Sequence, residues 1–320
     1  MTTRPRIGAA ALAALALGGC ELREVSLTEP EHTIVVEAYV RVGETAFGFP
    51  RNRATVLLHE TLASDGSTGA VPGADVVIRR TTDGLSLAMQ ETALGDCATA
   101  VPANGAAGTC YLPGSGVLLS RLRPGDPLEL RIELAGGGVL LSETVVPGSF
   151  QLHDVVSNGS CDLAPGRLSE ITWSPAGGAW AYISDTYLQG LGPIFGSAVV
   201  DDPLYLLGLS VSARDTTIVF PSEFGLFTRG EVDREVSLAL QSGLPPGTSA
   251  TVSVAAVDRN WVNWARGGSF NPSGLVRVPS VRGLGTGVFA AGVLHTFIVQ
   301  AREPSGSLPA CPAPPDAPLP

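Results

Sequence analysis

The run Leu128-Glu129-Leu130-Arg131-Ile132-Glu133-Leu134 alternates apolar and charged residues without a break. Successive side chains of an extended chain point to opposite faces, so this segment buries one face and wets the other. Pro124-Gly125-Asp126-Pro127 turns into it, and Ala135-Gly136-Gly137-Gly138 turns out of it into Val139 to Val146. The same grammar recurs upstream. Thr33 to Val40 is a β-branched and aromatic run, Ala54 to Leu62 is another, and Val71-Pro72-Gly73-Ala74 turns into Asp75-Val76-Val77-Ile78. Asp83-Gly84 is a hairpin-type dipeptide ahead of Leu85 to Met89. Gly (39) and Pro (25) make up about a fifth of the 320 residues, which suits a turn-rich β-protein and not long helices. Short strands with regular turn signals predict an all-β chain built as two antiparallel β-sandwich domains.

The first twenty residues follow different rules. Arg4 and Arg6 precede an apolar stretch, Ile7 to Leu17, and the small residues Gly18 and Gly19 lead to Cys20. That order of charge, short apolar segment and small residues is that of an export leader, and the stretch is short of the ~20 residues that span a bilayer. Leu17-Gly18-Gly19-Cys20 resembles the lipobox of bacterial lipoproteins. The resemblance implies a signal peptide over 1–19, cleavage before Cys20, and lipid on its sulfur. Several acyl chains there would anchor the chain firmly to a membrane. Glu21, where some sorting systems use Asp for inner-membrane retention, points to the outer membrane of the cell envelope. Residues 20–31, polar and short of apolar residues, read as a tether.

The mature part divides by composition into 32–150, a linker over 151–168, 169–302, and a Pro-rich tail over 303–320. In the first part, Val71 to Ile78 and Leu122-Arg123-Pro124-Gly125-Asp126 resemble the carboxypeptidase regulatory-like and transthyretin-like sandwiches of bacterial surface proteins. Leu128 stands where that pattern usually has an aromatic residue. In the second part, Ile171-Thr172-Trp173-Ser174-Pro175, then Ala179 to Ile183, and later Ala250 to Asp258 resemble strands of fibronectin type III domains, an Ig-like sandwich. There a Trp and alternating apolar residues fill the gap between sheets. More chain than usual lies between Ile183 and Ala250, with strands expected at Tyr205 to Val211 and Thr217 to Phe220, and an extra final strand at Val293 to Val299. Together with the late segment from Phe270-Asn271-Pro272-Ser273-Gly274 through Gly283 to Gly292, the chain resembles a family of uncharacterised envelope lipoproteins best known from the Bacteroidetes. That family carries no assigned activity.

Cysteine usage agrees with export. Beside Cys20 stand Cys97, Cys110, Cys161 and Cys311, an even set that suggests disulfides. Three pairings are open. Cys97–Cys110 is favoured because both lie in or beside one Gly/Ala-rich loop, which leaves Cys161–Cys311. The net charge of -10 becomes -12 when Arg4 and Arg6 leave with the leader. An acidic surface repels phosphate backbones and anionic headgroups, so nucleic acid is not an expected partner and attachment falls to the lipid.

Catalytic patterns fail residue by residue. The chain has no lysine, which excludes a P-loop lysine and a Schiff base. His32, His59, His153 and His295 are scattered without metal spacing, and no serine sits in G-x-S-x-G. Gly283-Leu284-Gly285-Thr286-Gly287 opens no amphipathic helix and reads as a glycine bulge or chain crossing. Asp201-Asp202 reads as a turn, and Glu129 and Glu133, flanking Arg131, as a mixed-charge outer face. No metal or cofactor is expected, and a non-enzymatic binding or interaction module of unidentified ligand is the function the residues favour. The alternative is a carbohydrate-binding or transporter-associated receptor, motivated by Arg259, Asn260, Trp261, Asn263, Trp264 and Arg266, an aromatic cluster after a strand. Its tryptophans either present a surface to a glycan or protein partner or plug the end of the sandwich. The plug is expected for at least one ring, with Arg259 or Arg266 over its face.

Overall fold

The computed structural model describes residues 33–43, 52–61, 69–97, 107–114, 117–155, 159–196, 200–210, 212–223, 234–267 and 278–314. The leader, Cys20, the tether, Phe270 to Gly274 and the end of the tail lie outside them. The first half runs through β1 (Ile34–Gly43), β2 (Arg53–Glu60), β3 (Asp75–Arg80), β4 (Ser86–Thr92), β5 (Thr109–Pro113), a short helix α1 (Val117–Arg121), β6 (Pro127–Glu133) and β7 (Val139–Val145). The second holds β8 (Leu152–His153), β9 (Ser160–Leu163), β10 (Ser169–Trp173), β11 (Ala181–Gln189), α2 (Gly192–Phe195), β12 (Leu204–Leu209), β13 (Thr217–Phe220), α3 (Arg234–Ser242), β14 (Ser249–Val257), α4 (Arg259–Gly267), β15 (Arg282–Gly283) and β16 (Gly285–Ala301). The chain is all-β, as its turn grammar predicts, and layered as a sandwich. Leu128, Leu130 and Ile132 of β6 are buried. On the opposite face Glu129 pairs with Arg79 at 3.2 Å and Arg131 with Glu133 at 2.7 Å, the mixed-charge outer face that the alternation predicts.

One strand departs from the two-domain expectation. β16 is 17 residues long and serves both halves. Its first part, Gly285 to Leu294, runs parallel to β1. Its second part pairs antiparallel with β14 from Gly292 to Gln300, and parallel with β9 from Ile298 to Ala301. Among the described residues the result is one 13-stranded mixed sheet, in the order β12-β11-β14-β16-β1-β2-β5-β4-β3-β6-β7-β15 with β9 on β16, beside a three-stranded sheet β13-β10-β8. Its path nearly returns on itself. β15 pairs with β7, and only Leu284 separates β15 from β16. Residues His32–Pro320 accordingly form one compact unit, and the boundaries at 150 and 169 do not separate two independent sheets. The purely antiparallel expectation is corrected for the same reason. Parallel neighbours need a long crossover, and nearly the whole chain lies between β1 and β16 to supply it.

The glycine-rich segment is a chain crossing. Gly283 and Gly287 adopt φ of 116° and 130°. A Cβ on either would run into a backbone oxygen, that of Val139 or of Val36. Only glycine lets three backbones approach this closely where β7, β15 and β1 meet.

The core follows from β16 as well. Phe289, Ala291, Val293, Phe297 and Val299 point into one continuous apolar cluster, which takes in Val36, Leu58, Ile78 and Leu130 from the first half and Trp173, Tyr182, Leu240 and Val252 from the second. The expected linker 151–168 contributes two strands, because Cys161, Asp162 and Leu163 are buried against β16. The tail is also strapped down. Asp162 N donates to Pro309 O, Cys311 N donates to Asp162 O, and Ser169 Oγ donates to Pro312 O, each at 2.8 Å. Both expected disulfides are formed, Cys97–Cys110 and Cys161–Cys311.

Candidate functional site

Two places gather the side chains that could recognise something. The first is the aromatic segment after β14, which the structure makes a helix, α4, and not a loop. Asp258 caps it, its Oδ1 accepting from Trp261 N at 3.1 Å. Trp261, Val262, Trp264 and Ala265 recur at helical spacing, so one side of α4 is apolar and lies on the outer face of the large sheet. Trp264 is buried with Val35, Val288 and Ala290, and Trp261 is half-buried. Trp261 packs on Tyr39 with ring centroids 4.9 Å apart, and Arg41 lies over it at 5.5 Å. Trp264 is thus buried, but beneath α4 on the outer face of the sheet and not at the end of the sandwich, and the cation over Trp261 comes from β1 and not from Arg259 or Arg266. Arg259 instead covers Trp180, at 5.1 Å, and Trp180 is half exposed. Asn263 is half-buried and Arg266 is exposed in the last turn.

Asn260 has a role the sequence does not suggest. Its Nδ2 donates to Glu143 O of β7 at 2.8 Å and to Phe289 O of β16 at 2.9 Å. Asp258 does the same work beside it, accepting from Thr144 of β7 and from Ala291 N of β16. Ser280 adds a third stitch, with Ser142 Oγ donating to its carbonyl at 2.9 Å and its Oγ accepting from Phe289 N at 2.9 Å. Beyond β15 the gap between β7 and β16 is thus closed by side chains, which satisfy backbone groups that no neighbouring strand reaches.

Burial lifts the Asp258 carboxyl from 3.8 to about 6, against the opposing hydrogen bonds from Thr144, Trp261 and Ala291. A carboxyl raised in the fold favours folding most below its unfolded value, and that contribution fades as pH rises through its folded one. From pH 4 to pH 7 this group should remove roughly 2 kcal/mol of stability. Asp258→Asn mimics the protonated acid and should lack that slope. Urea midpoints of the two proteins should lie apart at pH 7 and converge as pH falls to 4, and parallel pH profiles would refute the assignment.

The second place is a cavity of about 500 Å³ in the second half, between the edge strands β12 and β13. Trp173 and Tyr182 form its aromatic wall, with centroids 5.2 Å apart and ring planes at 61°. The Tyr182 hydroxyl accepts from Ala176 N at 2.8 Å, which fixes the ring. Trp173 is only 4% exposed, and its indole Nε1–H has no hydrogen-bond partner. Ser184, also buried, lies across from Gly208, where a Cβ would come within 2.5 Å of the serine Oγ. Asp215 and Glu223 add carboxylates to the lining. Trp173 was legible from the sequence as a sandwich tryptophan; the cavity beside it was not, because the two edge strands that frame it meet only in the fold.

Elsewhere Asp202 accepts from Gly190 N and Gly192 N at 2.9–3.1 Å and so braces the turn at α2. Asp185, on the outer face of β11, has its carboxyl pushed up by burial and held down by Arg41, and its Oδ1 is buried without a hydrogen-bond partner. Among the described residues no group of three or more His, Cys, Asp or Glu comes together as a metal site, and no helix is long and apolar enough to cross a membrane.

No protein-family model and no curated protein matches the chain. Among solved structures it is similar to Dpr11 IG1 bound to DIP-gamma IG+IG2, at 10% identity and a TM-score of 0.17, over 86% of this chain and 100% of that one. It is also similar to the two tandem V-type regions of VCBP3, a v-region-containing chitin binding protein, at 11% identity and a TM-score of 0.19, over 84% and 99%. Likenesses this low carry no argument about ligand or partner, and the all-β assignment rests on the strand pairing itself.

Proposed function

We propose that the chain is a lipid-anchored protein of the bacterial envelope that binds a partner and catalyses nothing. The observation that carries this reading is the cysteine pattern. Cys97–Cys110 and Cys161–Cys311 use four of the five cysteines as disulfides. Such bonds persist in oxidising compartments outside the cytoplasm. The fifth cysteine is Cys20 of the lipobox-like Leu17-Gly18-Gly19-Cys20, where lipid would attach. A carbohydrate receptor, working alone or beside an outer-membrane transporter, is the second reading, and the half-exposed Trp180 with Arg259 over its ring favours it.

Anchoring is tested by Cys20→Ser. Metabolic labelling with a radioactive fatty acid should mark the wild-type chain and not the variant. The variant should also leave the washed membrane fraction. A variant that stays membrane-bound to the wild-type extent would place the anchor elsewhere and defeat the reading.

A further inference from the structure

We propose that the free edge of β12 docks a second copy of this chain, by antiparallel pairing of β12 with β12 about a two-fold axis at Leu207. The proposal goes beyond the function above and does not rest on it. A sheet edge presents a row of unpaired N–H and C=O groups, and natural proteins cover or charge such rows. Here the other edges are covered. The C-terminal strap lies along β9, with Asp162 N donating to Pro309 O and Cys311 N to Asp162 O. β15 and the side chains of Asp258, Asn260 and Ser280 close the edge of β7. On β13, Val219 N donates to Glu223 Oε2 at 2.7 Å and Glu223 N donates to Val219 O at 2.9 Å, so a carboxylate and a turn block that edge. β8 is two residues long. Among the described residues β12 alone ends the large sheet as a full strand with no partner on its far side.

The backbone of β12 suits itself as a partner. Ser210 N donates to Tyr182 O at 2.8 Å, and these two residues continue the β11–β12 register. Even-numbered residues of β12 therefore bond to β11, and Tyr205, Leu207 and Leu209 turn their N–H and C=O groups to the free edge. In an antiparallel pair centred on Leu207, Tyr205 of one copy lies opposite Leu209 of the other, so all three residues exchange both of their bonds. The strand, Leu204–Leu209, carries no charge or proline to keep a second strand away. Tyr205 is 45% exposed and packs on Tyr187, and Leu207 and Leu209 are half-buried on the same face. The joined sheet gains a cross-strand Tyr–Leu contact on each side of the axis. The flanks choose the partner. Exposed Asp201 precedes the strand and exposed Arg214 follows it. An antiparallel two-fold brings the Asp201 end of each copy to the Arg214 end of the other, twice, whereas a parallel pairing sets like charges together.

The experiment uses the full chain, expressed with its leader, solubilised in mild detergent and weighed by light scattering with the detergent mass subtracted. The protein should be a dimer that dissociates on dilution. Leu207→Pro deletes the two central bonds of the pair and leaves those to β11 intact, because the Leu207 N–H faces the free edge. It should raise the dimer dissociation constant at least ~tenfold. Leu207→Lys sets two like charges at the axis and should leave monomer. Arg214→Asp should weaken the dimer, and Asp201→Arg with Arg214→Asp should restore it. Unchanged circular dichroism spectra identify the variants that still fold. A cross-link in the membrane decides the matter if the Leu207→Pro and Leu207→Lys variants do not. Facing residues of a bonded antiparallel pair lie ~5.5 Å apart at Cα, within disulfide reach. Mild oxidation should therefore link Leu207→Cys into a covalent dimer and should not link Val117→Cys, a residue 59% exposed on α1. The proposal is overturned if the wild-type chain is monomeric at every concentration, or if folded Leu207→Pro and Leu207→Lys dimerise as wild type does. It is overturned equally if the charge exchange restores nothing, or if Leu207→Cys links no better than Val117→Cys. Anchoring, read from Cys20→Ser, stands or falls separately.

Discussion

Removing the Cys161–Cys311 bridge should cost the fold about 5 kcal/mol, the chain-entropy value for so long a loop. The two cysteines lie 150 residues apart in sequence, so cutting the bond returns a large share of the chain to an unconstrained unfolded state. Cys97–Cys110 closes a separation of 13 and should matter less, ~3 kcal/mol on the same model. The long bridge also pins the strap in which Pro309, Cys311 and Pro312 hydrogen-bond to Asp162 and Ser169. Both sulfurs are buried, so alanine is the cleaner replacement. A loss this size is comparable with the entire ~5–15 kcal/mol that holds an ordinary domain together. The urea midpoint of Cys161→Ala/Cys311→Ala should therefore drop far below that of Cys97→Ala/Cys110→Ala. Equal midpoints for the two double variants would show that the long bridge stabilises no more than the short one and would defeat the loop-length argument.

Trp264→Ala is expected to cost ~3–5 kcal/mol, the penalty for emptying a buried aromatic site. Its ring is 8% exposed and sits with Val35, Val288 and Ala290, between α4 and the paired strands β1 and β16. The damage should spread, because α4 also presents Asp258 and Asn260 to the gap between β7 and β16. Trp261→Ala should cost less. That ring is half-buried, and Arg41 and Tyr39, which cover it, can in part close over the space. Thermal melts should thus rank wild type above Trp261→Ala and Trp261→Ala above Trp264→Ala. A Trp264→Ala protein that melts like wild type would mean that α4 is not held by this ring.

The residues that motivated a recognition surface changed meaning in the fold. Trp261 and Trp264 stand out in a chain of 6% aromatics, and a Trp-rich segment after a strand invites the idea of a binding loop. Asp258 ahead of Trp261, Val262, Trp264 and Ala265 carries a helix signal as well, a cap followed by apolar residues at helical spacing. In a chain otherwise read at a period of two, that signal is easily passed over. The cavity at Trp173 has no local signature at all. Its walls come from β10, β11, β12 and β13, with Gly208 facing Ser184 across the β11–β12 pair.

What the sequence determined by itself is whatever a short window can hold. The alternation of Leu128 to Leu134 dictates a half-buried strand, the turn at Asp83-Gly84 dictates a reversal with Gly84 at φ 74°, and the proximity of Cys97 and Cys110 favours their bond. Each rests on a side-chain period or a backbone preference that acts within a few residues. Tertiary structure decided the partners. Nothing in Ile34 to Gly43 names Gly285 to Leu294 as its parallel neighbour, since a strand edge offers the same backbone donors and acceptors to any strand. The choice falls to the glycines of the crossing, to the apolar faces of β16 and to the side chains of Asp258, Asn260 and Ser280, which close the remaining gap. Such complementarity exists only once distant segments have met, which is why two sandwiches legible in sequence fold as one body around a shared strand.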